Sequence, residues 1–321
     1  MSPRSLIPVA IVTGFLGSGK TTLISCILRD PAFARTAVIV NEFGEIGLDH
    51  ELIASSDETL LALTTGCLCC AVRSDLVATL LDLRQRSDAY DRVVIETSGL
   101  ADPAPILHAL MTDRDLAQHY TLGRITTVAD ALHAGTTLDR HPEAIRQVAL
   151  ADTILLSKTD IAEPPATLLA RLAALNPEAV LRETREIAPA MLFSGGHPKP
   201  DVTPYAKHSD GIESLVLQRD RSLPALALTL LLEALAEHCG SRLLRMKGLV
   251  DIEEMPGQPA VIHGVQHVFS PPEFLDRWPS ADHTTRMVFI TQGVPRYFPA
   301  RLLDVIEQEV RDTMEQTPPI G

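Results

Sequence analysis

The chain has 321 residues, 45% of them hydrophobic, with a formal net charge of −13 and a pI near 5.3. That length and composition suit a globular protein with two cored domains and argue against a disordered chain. The acidic balance excludes a general nucleic-acid or anionic-membrane partner, because both are recruited by clustered Lys and Arg.

Leu6 to Leu16 is an apolar run near the start, but it lacks the basic flank and small-residue cleavage site of a signal peptide. No other run approaches the roughly 20 apolar residues of a membrane span. Five cysteines, three of them crowded at 67, 69 and 70, do not form a secreted disulfide framework. The expectation is a cytoplasmic protein with reduced thiols, monomeric or weakly homo-oligomeric.

Behind the strand-like run Leu6 to Thr13 stands Gly14-Phe15-Leu16-Gly17-Ser18-Gly19-Lys20-Thr21-Thr22, which has the G-x-x-x-x-G-K-[ST] spacing of a phosphate-binding loop. A helical pattern over Leu23 to Arg29 completes strand, loop and helix. Backbone N–H groups and the helix N-terminus would surround an anion, with Lys20 as a mobile ammonium and the Thr21 hydroxyl free for Mg²⁺. A chance glycine-rich turn would not need this whole order of parts.

Thr36 to Val40 reads as the second strand, ending in Asn41-Glu42-Phe43-Gly44-Glu45-Ile46-Gly47-Leu48-Asp49. In an open α/β sheet the loops after the strands hold the ligand. The segment reads equally as a γ-phosphate-sensing switch with a carboxylate free for a metal, or as a solvated acidic loop.

Leu60 to Thr64 then leads into Thr65-Gly66-Cys67-Leu68-Cys69-Cys70 and a helical pattern over Val72 to Arg84. Cys67 and Cys69 share a face if the segment is extended, and Cys70 falls at the turn into the helix, whose N-terminus lowers a thiol pKa. Thiolates favour a borderline or soft ion such as Zn²⁺. With no second cysteine pair, such a site needs a further ligand to close it. Small buried thiols or a redox pair stand as alternatives.

Arg92 to Ile95 is a further strand, ending in Glu96-Thr97-Ser98-Gly99; in a phosphate-loop protein this acid holds Mg²⁺ through water or orients the attacking water. Ala101-Asp102-Pro103 opens a helix, Ile125 to Ala129 and Thr153 to Leu156 are strands, and His141 to Ala151 is helical. Ser157-Lys158-Thr159-Asp160 then resembles the Asn-Lys-x-Asp guanine motif with Ser for Asn, which removes one expected contact. Asp160 can accept from both donors on the guanine edge, the Lys158 stem can cover the base, and adenine would leave the acid unpaired, so GTP is favoured over ATP.

Pro164 to Leu175 is an amphipathic helix and Val180 to Glu183 the last strand of this part. The Gly- and Pro-rich stretch from Ser194 marks a boundary: a nucleotide-binding domain over 1–195, a linker over 196–210 and a second domain over 211–321. In the second domain, Ser214 to Gln218, Leu243 to Ile252, Ala260 to Phe269 and Arg286 to Thr291 read as strands. Leu223 to His238 and Pro299 to Met314 read as helices on one face of an antiparallel sheet. His263 and His267 would point to one side of a strand, more as surface residues than as ligands. Cys26 and Cys239 read as small core residues.

GFLGSGKTT, NEFGEIGLD, GCLCC, ETSGLADP, SKTD and the late GVQHV together resemble the CobW family of metal-handling P-loop GTPases, over nearly the whole chain. Nickel GTPases of hydrogenase and urease maturation share the loop but not the cysteine segment or the second domain. The resemblance implies an α/β P-loop G domain with a mostly parallel sheet, followed by a smaller α+β CobW C-terminal domain.

The implied activity is slow GTP hydrolysis coupled to handling Zn²⁺, or in some branches Co²⁺, for a client metalloprotein. It implies that Gly14 to Thr22 bind phosphates, Thr21 holds Mg²⁺, Asp160 reads guanine and Cys67, Cys69 and Cys70 are the metal thiols. Glu45 is similar to a family position linked to zinc. Many members carry a histidine-rich linker, whereas this chain has His197 and His208 there. A passive zinc-binding or zinc-sensing protein with structural nucleotide, a cobalt-handling GTPase and an ATP-using kinase are the competing readings. No arginine finger is assignable, so slow turnover is expected.

Overall fold

In the computed structural model the described residues are 6–41, 60–63, 69–85, 90–194 and 211–316. Contacts divide the chain into two units, Met1–Asp201 and Val202–Gly321. The segment Glu42 to Asp49 with Glu45, the residue Cys67, and the whole stretch 196–210 taken as linker lie outside the described residues.

The first unit holds a seven-stranded sheet. Its strands are β1 (Ile7–Thr13), β2 (Thr36–Asn41), β3 (Leu60–Leu63), β4 (Arg92–Thr97), β5 (Tyr120–Asp130), β6 (Thr153–Ser157) and β7 (Val180–Glu183). All are parallel, in the order β3-β2-β4-β1-β5-β6-β7. The central strands β1, β4 and β6 are buried along most of their length, and strands covered on both faces read as continuous apolar runs, which is why these were visible in the sequence.

Helix α1 (Lys20–Leu28) packs Leu23, Ile24 and Ile27 against Ala10, Val12, Val38 and Val94 on one face. Cys26 lies off that stripe and is exposed, so it is not the core residue expected from its helical position. A residue two beyond Ile24 sits about 200° round the helix.

Among the described residues six more helices follow the later strands: α2 (Cys69–Gln85), α3 (Ala104–Thr112), the short α4 (Arg114–Ala117), α5 (Ala134–Arg140), α6 (Pro142–Leu150) and α7 (Ala166–Leu175). Because α2 already begins at Cys69, that cysteine belongs to the first helical turn with Cys70 and not to an extended segment shared with Cys67. The buried Tyr120 hydroxyl donates to Leu80 O at 2.7 Å, tying β5 to α2, and burial pushes its pKa up to about 12. Strand order reverses around β1, so the loop after β1 opens at the crevice where α/β sheets bind ligands.

The second unit is antiparallel. Strands β8 (Ile212–Arg219), β9 (Leu243–Val250), β10 (Ala260–Val265), β11 (Val268–Phe269), β12 (Glu273–Phe274) and β13 (Thr285–Gln292) are ordered β11-β10-β9-β13-β8, with β12 beside β10. Helices α8 (Ala225–Cys239) and α9 (Phe298–Gln316) cover one face: Leu228, Leu231, Leu235 and Leu303 share a core with Leu217, Met246, Met287 and Phe289. Cys239 is in that core, and burial raises its thiol pKa.

The run Ala260 to Phe269 is not one strand but a hairpin. Val265 pairs with Val268, and Gln266 adopts φ 54 to close a two-residue turn. His267 therefore sits in the turn while His263 stays in β10 opposite Lys247, which removes the shared face expected for the two histidines. Gly264 is required beside this hairpin, since a Cβ there would lie 2.5 Å from the Phe269 ring.

Candidate functional site

Residues Gly14 to Gly19 form the loop between β1 and α1, above the point where strand order reverses. Its shape depends on missing side chains. A Cβ on Gly14, which has φ +139, would sit 2.3 Å from Val128 O. A Cβ on Gly99, in the loop after β4, would sit 2.5 Å from Leu16 N, so the two loops touch backbone to backbone.

Lys20 opens α1, is 8% exposed and donates from Nζ to Gly14 O at 2.9 Å and Phe15 O at 3.2 Å. Its ammonium is thus held inside the curl of the loop. Thr21 Oγ1 donates to Glu96 Oε1 at 2.7 Å, joining the loop to the end of β4. Behind them Thr97 Oγ1 donates to Thr13 Oγ1 at 2.7 Å, locking the ends of β1 and β4 together. Thr22 is exposed in the first turn of α1, and Leu16 is 57% exposed at the loop tip.

This donor set fits a nucleotide with a hard cation. A glycine curl, an ammonium and a helix N-terminus suit phosphate. A hydroxyl and a carboxylate 2.7 Å apart offer the oxygen ligands that Mg²⁺ prefers.

Ser157 ends β6 and donates from Oγ to Ser18 O at 2.6 Å. The serine that stands in the Asn position is therefore a strut between the loop after β6 and the loop after β1. Lys158 follows in the left-handed region, at φ 59, with Nζ 2.5 Å from Asp130 Oδ2. Thr159 Oγ1 donates to Glu183 Oε2 at 2.6 Å, fastening the loop to β7, and Asp160 is exposed at its tip.

Asp130, at the end of β5, also meets His133 Nδ1 at 3.1 Å and accepts from Leu132 N at 2.7 Å. Burial alone would raise its pKa; the Lys158 and His133 side chains and the Leu132 N–H outweigh burial and hold the carboxyl below its ordinary value.

Asp130 and Gln147 escaped the sequence reading. Gln147 is 0% exposed on α6; its Nε2 donates to Gly99 O at 3.1 Å and Ala101 O at 3.0 Å, and its main-chain oxygen accepts from Thr127 Oγ1 at 2.7 Å. A glutamine inside the apolar stripe Ala144, Ile145, Val148 was the available signal.

Cys69 and Cys70 are placed as helical residues at the start of α2, and Glu45 and Cys67 lie outside the described residues. Among the described residues no cluster of three metal-ligating side chains occurs, and no helix is long and apolar enough to cross a membrane.

Residues 8–182 match the family described as CobW/HypB/UreG, nucleotide-binding domain, and residues 212–307 match the cobalamin synthesis protein cobW C-terminal domain. The zinc chaperone YjiA of Escherichia coli (strain K12) is 34% identical over 304 residues, which cover 90% of this chain and 95% of the relative. The zinc-regulated GTPase metalloprotein activator 1 of Schizosaccharomyces pombe is 34% identical over 172 residues, 51% of this chain and 42% of that one. The crystal structure of Zn(II)-bound YjiA GTPase from E. coli superposes with a TM-score of 0.74 at 28% identity, over 94% of this chain and 99% of its own. With both halves matched in order, the chain belongs to the CobW/HypB/UreG family of P-loop proteins, in the branch that carries the CobW C-terminal domain.

Proposed function

We propose that this protein is a GTP-hydrolysing metallochaperone that binds Zn²⁺ and passes it to a client metalloprotein. The observation that carries the reading is the convergence of Lys20, Thr21 and Glu96 at the end of β1 and β4, on the edge from which the cysteine-bearing segment departs. Zinc chaperone and GTPase relatives that cover 90% and 94% of this chain support it.

Phosphoryl transfer needs positioning and charge stabilisation more than covalent help. The N–H groups of residues 14 to 22 and the Lys20 ammonium would bind the phosphates, and Asp160 would accept from the guanine edge with the Lys158 stem against the base. Ser157 would keep the two loops in register through its bond to Ser18 O. Thr21 and Glu96 would hold Mg²⁺, which when bound supplies neutralisation of the phosphate charge. With no arginine assigned to the transferring phosphate, intrinsic turnover is slow and suits a timer.

The metal reading rests on Cys67, Cys69 and Cys70, with Glu45 as a fourth ligand. Asn41 and Leu63 are register partners at the ends of β2 and β3, and Glu45 and Cys67 each follow their strand end by four residues. Cys69 and Cys70 open α2, where the helix N-terminus favours thiolate. Because β2 and β3 lead from this sheet edge into the segments that carry Glu45 and the cysteines, GTP and Zn²⁺ would bias the same segment, and such coupling is reciprocal.

Steady-state phosphate release with GTP and with ATP, each with and without Zn²⁺, tests the reading. The expected result is slow release that prefers GTP and responds to Zn²⁺. Negligible turnover in every condition would favour a passive zinc-binding protein with structural nucleotide.

A further inference from the structure

Lys158 is the first residue after β6, sits in the left-handed region at φ 59, and has its Nζ 2.5 Å from Asp130 Oδ2. A left-handed backbone costs free energy in any residue with a Cβ, and it persists where several contacts fix it together. The Lys158 main-chain oxygen accepts from Ile161 N and Ala162 N, both at 3.1 Å. Asp130 and Ser157 are register partners at the ends of β5 and β6, and Ala131 N donates to Ser157 O at 3.0 Å. The acid thus stands beside the residue that precedes the lysine, and the ion pair closes the arrangement.

Asp130 is the more rigid partner of the pair. It is 8% exposed, it accepts from Leu132 N through Oδ1 at 2.7 Å, and its Oδ2 also meets His133 Nδ1 at 3.1 Å. A lysine stem left to itself samples many rotamers, and that entropy opposes any one position. Here the ammonium is tied to a carboxylate that a strand end and a backbone N–H hold in place. Both side chains line the hollow beside Phe15 to Ser18 of the phosphate loop, where Asp130 is the one carboxylate among the described residues.

We infer that Asp130 is a positioning residue for base recognition: by holding the Lys158 ammonium it sets the lysine stem, and with it the loop that carries Asp160, in the arrangement that receives the base. This role rests on the nucleotide reading proposed above, in which Asp160 accepts from the guanine edge and the Lys158 stem lies against the base. The phosphate and Mg²⁺ groups of that reading are Lys20, Thr21 and Glu96, none of which bonds to Asp130 among the described contacts. Loss of Asp130 therefore weakens the half of the site that holds the base and spares the half that does the chemistry.

The test compares the wild type, Asp130→Ala, Lys158→Met and the double variant. Equilibrium binding is measured for a non-hydrolysable GTP analogue and for ribose 5′-triphosphate, which keeps sugar and phosphates but has no base. Asp130→Ala should weaken the GTP analogue about tenfold, the effect of lowering the receiving arrangement to about a tenth of the population. KM for GTP should rise by the same factor, with kcat within about twofold of the wild type. Ribose 5′-triphosphate should bind all four proteins alike. Lys158→Met, which keeps a stem without the ammonium, should match Asp130→Ala, and the double variant should be no weaker than either. Thermal unfolding identifies a variant that fails to fold. Asp130→Asn, which keeps the shape and removes only the charge, then carries the test with an expected loss of about threefold.

Unchanged GTP affinity in a folded Asp130 variant, an equal loss for ribose 5′-triphosphate, a fall in kcat in place of the rise in KM, or additive losses in the double variant would each overturn the positioning role. If the wild type binds ribose 5′-triphosphate as tightly as the GTP analogue, the base reading itself fails and the positioning role with it. A wild type that binds the GTP analogue more tightly, with a silent Asp130→Ala, leaves the base reading standing and removes only the role of Asp130.

Discussion

In the N-terminal unit the strands around β1 each finish in a buried polar residue: Thr13 on β1, Glu96 and Thr97 on β4, Asp130 on β5 and Ser157 on β6. In the C-terminal unit the described buried polar groups are scattered over the strands and α9, and several fasten near neighbours. Glu307 of α9 meets Arg221 at 2.9 Å and Arg311 at 3.1 Å, and Thr285 Oγ1 accepts from Asp251 N at 2.8 Å. A parallel sheet sends all its strand ends to one edge, so polar residues placed there converge. An antiparallel sheet sends successive ends in opposite directions, and its polar groups can do little beyond fastening neighbours. The difference locates the chemistry in the first unit and gives the second a mainly structural set of polar contacts.

Substitutions sharpen that contrast. Lys20→Ala removes the ammonium inside the loop and should lower the GTP hydrolysis rate by at least about 100-fold, read by phosphate release. Asp160→Asn should weaken GTP binding by about 100-fold, because the carboxylate charge is lost and one of the two acceptors becomes an N–H₂ facing a guanine donor. The same change should improve binding of XTP, whose 2-oxo group accepts from the new amide. Ser157→Ala leaves Ser18 O without its 2.6 Å donor and should weaken GTP by about tenfold in an equilibrium titration.

Glu307→Ala in the other unit should cost about 2 kcal/mol of stability in denaturant unfolding, a buried-pair loss discounted for its solvent-exposed arginines, and should leave GTP affinity unchanged. A large loss of GTP affinity in Glu307→Ala would break the division of labour.

The smallest effect is in pH. Asp130 has a depressed pKa in the fold, so its contribution to stability is complete above the ordinary aspartate value of about 3.9 and is lost as pH falls through the lower folded value. The stability difference between the wild type and Asp130→Asn should therefore be flat above about pH 5 and shrink below about pH 4.

The strands of the parallel sheet were legible because burial on both faces writes them as apolar runs, and the phosphate loop because its spacing is set by backbone geometry. Lys158 and Asp160 stood out through their short motif, but the contact made by Ser157 did not, since a serine's partner across 139 residues leaves no local trace. Gln147 and Asp130 act through the third dimension in the same way. The hairpin at Gln266 was hidden because Val265 and Val268 continue the strand pattern on either side of it. Exposure of Cys26 was decided by which face α1 buries, which the helical period alone leaves open.

The central claim is that nucleotide and metal bias one segment at the shared edge. Equilibrium Zn²⁺ affinity by chelator competition, with and without Mg²⁺ and a non-hydrolysable GTP analogue, on the wild type and Cys69→Ala, tests it most directly. The account predicts a nucleotide-dependent Zn²⁺ affinity in the wild type that disappears in Cys69→Ala. Equal Zn²⁺ affinity in all four conditions would contradict it.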